Sequence, residues 1–238
     1  MPALVSTQVA VALTLITVAG PARAAAPPPE VAALVERCVA AYGGAAALRS
    51  LVAVRQAGTV TSLLHPGQAG RLQRVAARGG RLRVEIAWGG EPEVRVVDGP
   101  TGWRGGAPVQ GPPLNAMVLQ AARFDLPLRL KEGLDRLEDR GVVEQDGKRL
   151  RALALEVAPG LVVEAGLDPA TGRILRSRAA TSGGPAIEFV TTYGDFRAVG
   201  GLLFAFREGN WANGATTGET VLTSVELLAR LPEGAFRP

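Results

Sequence analysis

One cysteine and one histidine in 238 residues leave little from which to build a disulfide, a metal site or a nucleophile–base pair. Cys38 has no partner for an intramolecular disulfide. It sits in a helical pattern, Val35-Glu36-Arg37-Cys38, and reads as a small buried apolar residue, neither a nucleophile nor a lipid anchor. His65 stands in a His-Pro-Gly stretch without a second ligand at metal-binding spacing. The chain also lacks a G-x-S-x-G elbow, a P-loop and a Gly-rich fingerprint between strand and helix. Its adjacent carboxylates, such as Glu138-Asp139, lie in charged surroundings and read as a solvated face. The expectation is a protein that is not an enzyme and needs no cofactor and no metal.

Lysine is nearly absent. Lys131 and Lys148 are the only two, so arginine supplies almost all of the 26 basic residues that outweigh 22 acidic ones. Arginine's planar fork suits phosphate and carboxylate groups, which brings a membrane headgroup surface into consideration. Nucleic acid is excluded by pattern: the arginines are scattered among acids, and aromatics, at 5%, are not interleaved with them. So few aromatics also mean that an apolar interior must be filled by Leu, Val, Ile and Ala. With 47% hydrophobic and 20% charged residues, the chain has the composition of one folded domain with a sizeable core.

No apolar run is long enough to span a bilayer. Residues 9–18 (VAVALTLITV) are apolar and are followed by Gly20-Pro21 and an A-x-A pattern, Ala22-Arg23-Ala24. This predicts a signal peptide over 1–24 with cleavage after Ala24, or after Ala26, although no Lys or Arg precedes the apolar run. A Pro-rich linker, 25–29, then leads into a single domain over 30–238. Without a cysteine directly after the apolar run, lipidation is not expected, so the mature protein should be a soluble, periplasmic or secreted monomer.

Two periodicities organise the rest of the chain. Glu30 opens a helix with Val31, Leu34, Val35, Cys38 and Val39 on one face; Gly43-Gly44 ends it, and a short helical piece covers 45–51. From Val52 the period becomes two, most clearly in Arg81-Leu82-Arg83-Val84-Glu85-Ile86-Ala87-Trp88, and again at 52–61, 93–97, 153–157, 187–193, 202–206 and 221–227. Hairpin signals separate these runs: His65-Pro66-Gly67, Asp98-Gly99, Asp146-Gly147, Asp168-Pro169, Gly200-Gly201 and Asn213-Gly214. Turns are also expected at 77–80 and 182–185. One helical stretch interrupts the strands: Leu114, Met117, Val118, Ala121 and Ala122 share a face after Pro112-Pro113, and apolar character continues over 124–130. The pattern predicts an α+β chain, mainly antiparallel sheet, whose middle helix packs on the concave face or caps one end, as a fixed cover or a lid.

Several segments carry a resemblance. Residues 78–88 followed by Val94-Arg95-Val96-Val97-Asp98-Gly99-Pro100-Thr101-Gly102-Trp103 form one, and Leu167-Asp168-Pro169-Ala170-Thr171-Gly172-Arg173-Ile174 a second. A third is Tyr193-Gly194-Asp195-Phe196-Arg197 with Gly200 to Phe206, and Tyr42-Gly43-Gly44-Ala45 belongs to the same set. In these the chain resembles the LolA-like outer-membrane lipoprotein-sorting superfamily, with its LolB-like and mycobacterial glycolipid-carrying relatives. The resemblance implies a strongly curved antiparallel sheet forming an open half-barrel, with helices over the concave face. It also implies a periplasmic carrier of a lipid acyl chain or lipoprotein anchor, with envelope membrane proteins as further partners. In that family a basic residue on an early strand latches the lid; Arg78 matches the position, with Gly79 where the family has proline. The expected cavity lining is Val84, Ile86, Trp88, Leu153, Leu155, Phe189, Phe204 and Phe206, with Leu114, Met117 and Val118 from the cover. Trp103 and Trp211 lie near turns, where an indole can rest at a mouth or seal a hairpin. Burying about fifteen methylenes yields roughly 12 kcal/mol gross, so an aliphatic cavity needs no polar contact to hold such a chain. The competing expectations are a non-catalytic envelope domain with a filled core and, third, an exported hydrolase with an unfamiliar site.

Overall fold

The computed structural model describes residues 27–180 and 187–238. The signal-peptide reading and the turn expected at 182–185 lie outside them. Helix α1 (Pro29–Ala41) takes the last proline of the expected linker into its first turn, where a missing N–H costs nothing. Gly43 and Gly44, at φ +108° and +88°, turn the chain into α2 (Ala45–Ser50). A Cβ on Gly43 would stand 2.6 Å from the Gly201 carbonyl oxygen, so glycine is required there by contact as well as by φ.

Six strands come next: β1 (Ala53–Ser62), β2 (His65–Ala77), β3 (Arg81–Ala87), β4 (Glu93–Asp98), β5 (Thr101–Arg104) and β6 (Ala107–Pro108). Two cover helices, α3 (Gly111–Ala122) and α4 (Leu126–Glu132), then carry the chain across the sheet. Seven strands complete it: β7 (Glu138–Gln145), β8 (Lys148–Ala158), β9 (Leu161–Leu167), β10 (Ile174–Ala180), β11 (Glu188–Val199), β12 (Leu202–Ala212) and β13 (Ala215–Leu228). The strands form one antiparallel sheet in the order β6-β5-β4-β3-β2-β1-β13-β12-β11-β10-β9-β8-β7. The chain therefore walks from the middle to one edge, crosses over in α3 and α4, and walks back from the other edge until β13 pairs with β1. The sheet is open, as expected, with β6 and β7 at its edges.

The hairpins are set by residues that accept positive φ. Asp146-Gly147, Gly200-Gly201 and Asn213-Gly214 each place both central residues there, the geometry that matches the twist of paired strands. The expected turn at His65-Pro66-Gly67 is displaced: the reversal falls on Leu63-Leu64, and His65 is the first residue of β2. A register shift, in which His65 faces Ser62 and Ala69 faces Thr61, lifts Pro66 to Gln68 out of the ladder and makes room for proline. Strands β2, β5, β6, β7, β9 and β10 carry no clear signal of alternation. In β9 the burial alternates, with Leu161, Val163, Ala165 and Leu167 inward, but the exposed Val162 and the small Gly166 blur the period of two in the sequence.

On one half of the concave face, α1, α4 and the end of α3, through Leu119 and Ala122, close over β8–β10. Val31, Leu34, Val35, Cys38, Leu126 and Leu130 pack there on Leu153, Val163, Ala165 and Leu167. Burial pushes the Cys38 thiol up to about 12. We therefore expect no reaction of the native protein with a chromogenic disulfide reagent at pH 8, and one thiol titrated once denaturant is added; fast labelling without denaturant would contradict this packing. A patch of the opposite face, over β1–β4, is covered by the C-terminal segment, where Phe236 packs on Ala53, Ala77 and Val96 and Arg81 lies over its ring at 5.4 Å.

Candidate functional site

The other half of the concave face is not filled. Beneath α3, over β1–β4 and β11–β13, a cavity of about 560 Å³ remains, within the range of small-molecule sites. Its apolar wall includes Val60, Leu72, Val84, Ile86, Met117, Phe124 and Phe204. At its rim the His65 ring stacks on Trp88, with centroids 4.1 Å apart and planes 15° from parallel.

Six of the eleven residues expected to line a cavity do so: Val84, Ile86, Trp88, Met117, Phe189 and Phe204. Leu153 lies fully buried in the closed half, and Leu155 packs beside Gly133 at the end of α4. Leu114 rests over Gly102, and Val118 packs between the two clusters of buried residues. Phe206 is buried with Leu72 and Leu222, its ring under the Arg197 guanidinium at 4.5 Å. Arg78 is placed in the β2–β3 turn and donates to the Arg49 carbonyl of α2 at 3.1 Å. Trp103 packs with the cluster on the opposite face of the sheet, and Trp211 crosses Gly209.

The cavity floor is not greasy, contrary to the purely apolar lining expected from the sequence. Among the described residues the buried polar side chains are Gln56, Ser177, Thr191 and Thr220, from β1, β10, β11 and β13. They share a stripe with Arg74 of β2, Tyr193 of β11 and Glu208 and Asn210 of β12. Arg74 grips Glu208 through two bonds of 2.6 and 3.1 Å and also donates to Gln56 Oε1. Both charged side chains are largely removed from water, at 13% and 16% exposure. Burial alone would raise the Glu208 pKa, but Arg74, with Arg123 beyond it, outweighs burial and holds the carboxyl below the ordinary range. The Tyr193 hydroxyl shares a 2.7 Å bond with Ser177 Oγ, and burial raises its pKa.

The stripe also meets the cover. Arg123, which ends α3, donates to Thr191 Oγ1, and Thr191 donates in turn to Asn210 Oδ1 at 3.0 Å. One signal in the sequence marks this floor: polar residues in the apolar phase of a strand, as in Leu72-x-Arg74-x-Ala76 and Phe204-x-Phe206-x-Glu208-x-Asn210.

An open antiparallel sheet with helices closing part of its concave face defines the class: a half-barrel with a helical cover. Solved structures share it, among them the following two. A LolA superfamily protein from Nitrosomonas europaea matches with a TM-score of 0.54 at 11% identity, over 87% of this chain and 96% of the other. A protein domain from Vibrio parahaemolyticus, described as outer membrane lipoprotein-sorting, matches with a TM-score of 0.52 at 11% identity, over 86% and 95%. The chain thus has the LolA-superfamily fold. No protein-family model matches the chain, and no curated protein matches it. Among the described residues no helix is long and apolar enough to cross a membrane.

Proposed function

We propose that the protein is a periplasmic carrier that takes the acyl part of a lipid or a lipoprotein anchor into this cavity and conveys it towards the outer membrane, with no chemistry on the cargo. The observation that carries the reading is the unfilled half of the concave face. Helices α1 and α4 with the end of α3 close β8–β10, yet over the other strands α3 leaves about 560 Å³ open against aliphatic and aromatic side chains. Each methylene placed there gains about 0.8 kcal/mol over water, so a single chain supplies the scale of affinity a shuttle needs. The likeness to a lipoprotein-sorting domain agrees with it at the level of fold.

The test is direct. Protein purified from a bacterial envelope fraction without detergent is extracted with organic solvent, the extract is read by mass spectrometry, and uptake of a fluorescent fatty acid is measured in parallel. Co-purified lipid in near-stoichiometric amount and saturable uptake are expected. Neither would leave a non-catalytic envelope domain as the better description.

A further inference from the structure

The polar groups of the cavity are unbalanced in one direction. Four arginines line it, Arg74, Arg95, Arg104 and Arg123, against two glutamates, Glu93 and Glu208. Both glutamates are engaged: Glu208 by Arg74, and Glu93 by Arg104 at 2.7 Å with Arg95 at 3.8 Å. Arg123 has no carboxylate in ion-pair range among the described residues; its bond goes to the neutral Thr191 hydroxyl. That hydroxyl donates its own hydrogen bond to Asn210 Oδ1, which leaves the amide NH₂ as the donor end of the relay. Arg123 is thus the one charged lining side chain without a counter-charge among the described residues, and its charge is positive.

A plain hydrocarbon would cover Arg123 and leave its donors and charge unmet, and a neutral head could accept a hydrogen bond but not balance the charge. An anionic head would do both. A guanidinium donates two parallel bonds to a carboxylate or phosphate, and the attraction strengthens where water is excluded. Arg74 contributes no free charge, because Glu208 neutralises it; Arg123 is the cation with spare donors, at the junction of cover and floor. We propose that the cavity selects amphiphiles with an anionic head, a fatty carboxylate or a phosphate ester. The head is seated against the Arg123 guanidinium and the Asn210 amide, with the tail along Val84, Ile86 and Phe204. This rests on the acyl-binding reading above and narrows its cargo.

The experiment compares three ligands of equal chain length, palmitate, hexadecyl phosphate and hexadecanol, each displacing a neutral pyrene-labelled alcohol from the wild-type chain. One or both anionic ligands should bind about ten-fold or more tightly than hexadecanol, and which of them leads identifies the head. Arg123→Gln should remove that preference and leave hexadecanol affinity unchanged, while Arg123→Lys should keep part of it. Equal affinity of the wild type for all three overturns the anionic-head inference and leaves acyl binding standing; failure of all three to bind overturns both. A variant Arg123→Gln that loses hexadecanol as well would make the residue structural and overturn its role as the seat. So would loss of the preference in Arg95→Gln instead. The wild-type ranking needs no variant to fold.

Discussion

Replacing Leu153 by aspartate is expected to leave the chain unfolded, whereas Phe204→Asp is expected to fold and to lose fatty-acid uptake. Both residues lie in the apolar phase of their strands, and both read as cavity lining from the sequence. Their surroundings separate them. Leu153 is fully enclosed under α1 and α4, with no space for water and no counter-charge in its cluster. An unpaired carboxylate there costs several kcal/mol, a large part of the roughly 5–15 kcal/mol that holds a domain folded. Phe204 is only half-buried and borders the cavity, so an aspartate in its place can be hydrated from the open side. Far-UV circular dichroism with urea unfolding reads the first outcome, and uptake of a fluorescent fatty acid the second. Unfolding of Phe204→Asp as well would mean that the open half is ordinary core and would remove the basis of the carrier reading.

The second large effect concerns the pair at the centre of the floor. Arg74→Met should destabilise by about 3–5 kcal/mol, because it leaves the largely buried Glu208 without its counter-charge, and Glu208→Leu should do the same to Arg74. The double variant Arg74→Met/Glu208→Leu should recover most of that loss, since two apolar side chains need no partners. Urea unfolding of the four proteins gives the cycle; near-additive losses would show that the two charges do not stabilise one another. The pair also has a pH signature. The folded Glu208 pKa lies below the ordinary glutamate value of 4.5, so its contribution is fully present above that value and is lost as pH falls through the folded pKa. The double variant should therefore lose less stability than the wild type on acidification below pH 4.5. An unchanged acid profile would contradict the assignment.

The contrast between Leu153 and Phe204 marks where sequence reading stops. Alternation at 81–88 places β3 and its inward residues because that strand has one packed and one wetter face. The same alternation cannot say which inward residues meet a helix and which meet a gap, since that depends on how far α1, α4 and α3 reach across the sheet. The pairing of Arg74 with Glu208 is hidden for a related reason. Each is one charge among many in the sequence, and its partner lies 134 residues away, so neither reveals that the other neutralises it. Turn chemistry is legible wherever glycine comes after Asp, Asn or Gly, and fails at His65-Pro66-Gly67, where the proline sits in a bulge. The open half-barrel itself is legible only from resemblance and strand spacing together.

The pairing of β1 with β13 has a consequence in time. Ala53 faces Leu228 and Ser62 faces Gly218, so the middle of the sheet is a seam between one of the first parts of the domain to be made and one of the last. Both flanks can grow by local hairpins, but neither can be joined to the other until everything between has been synthesised. Until then β1 offers a bare ladder edge and the cavity, whose floor draws on both sides of the seam, does not exist. The pairing thus predicts assembly as two wings and a late closure.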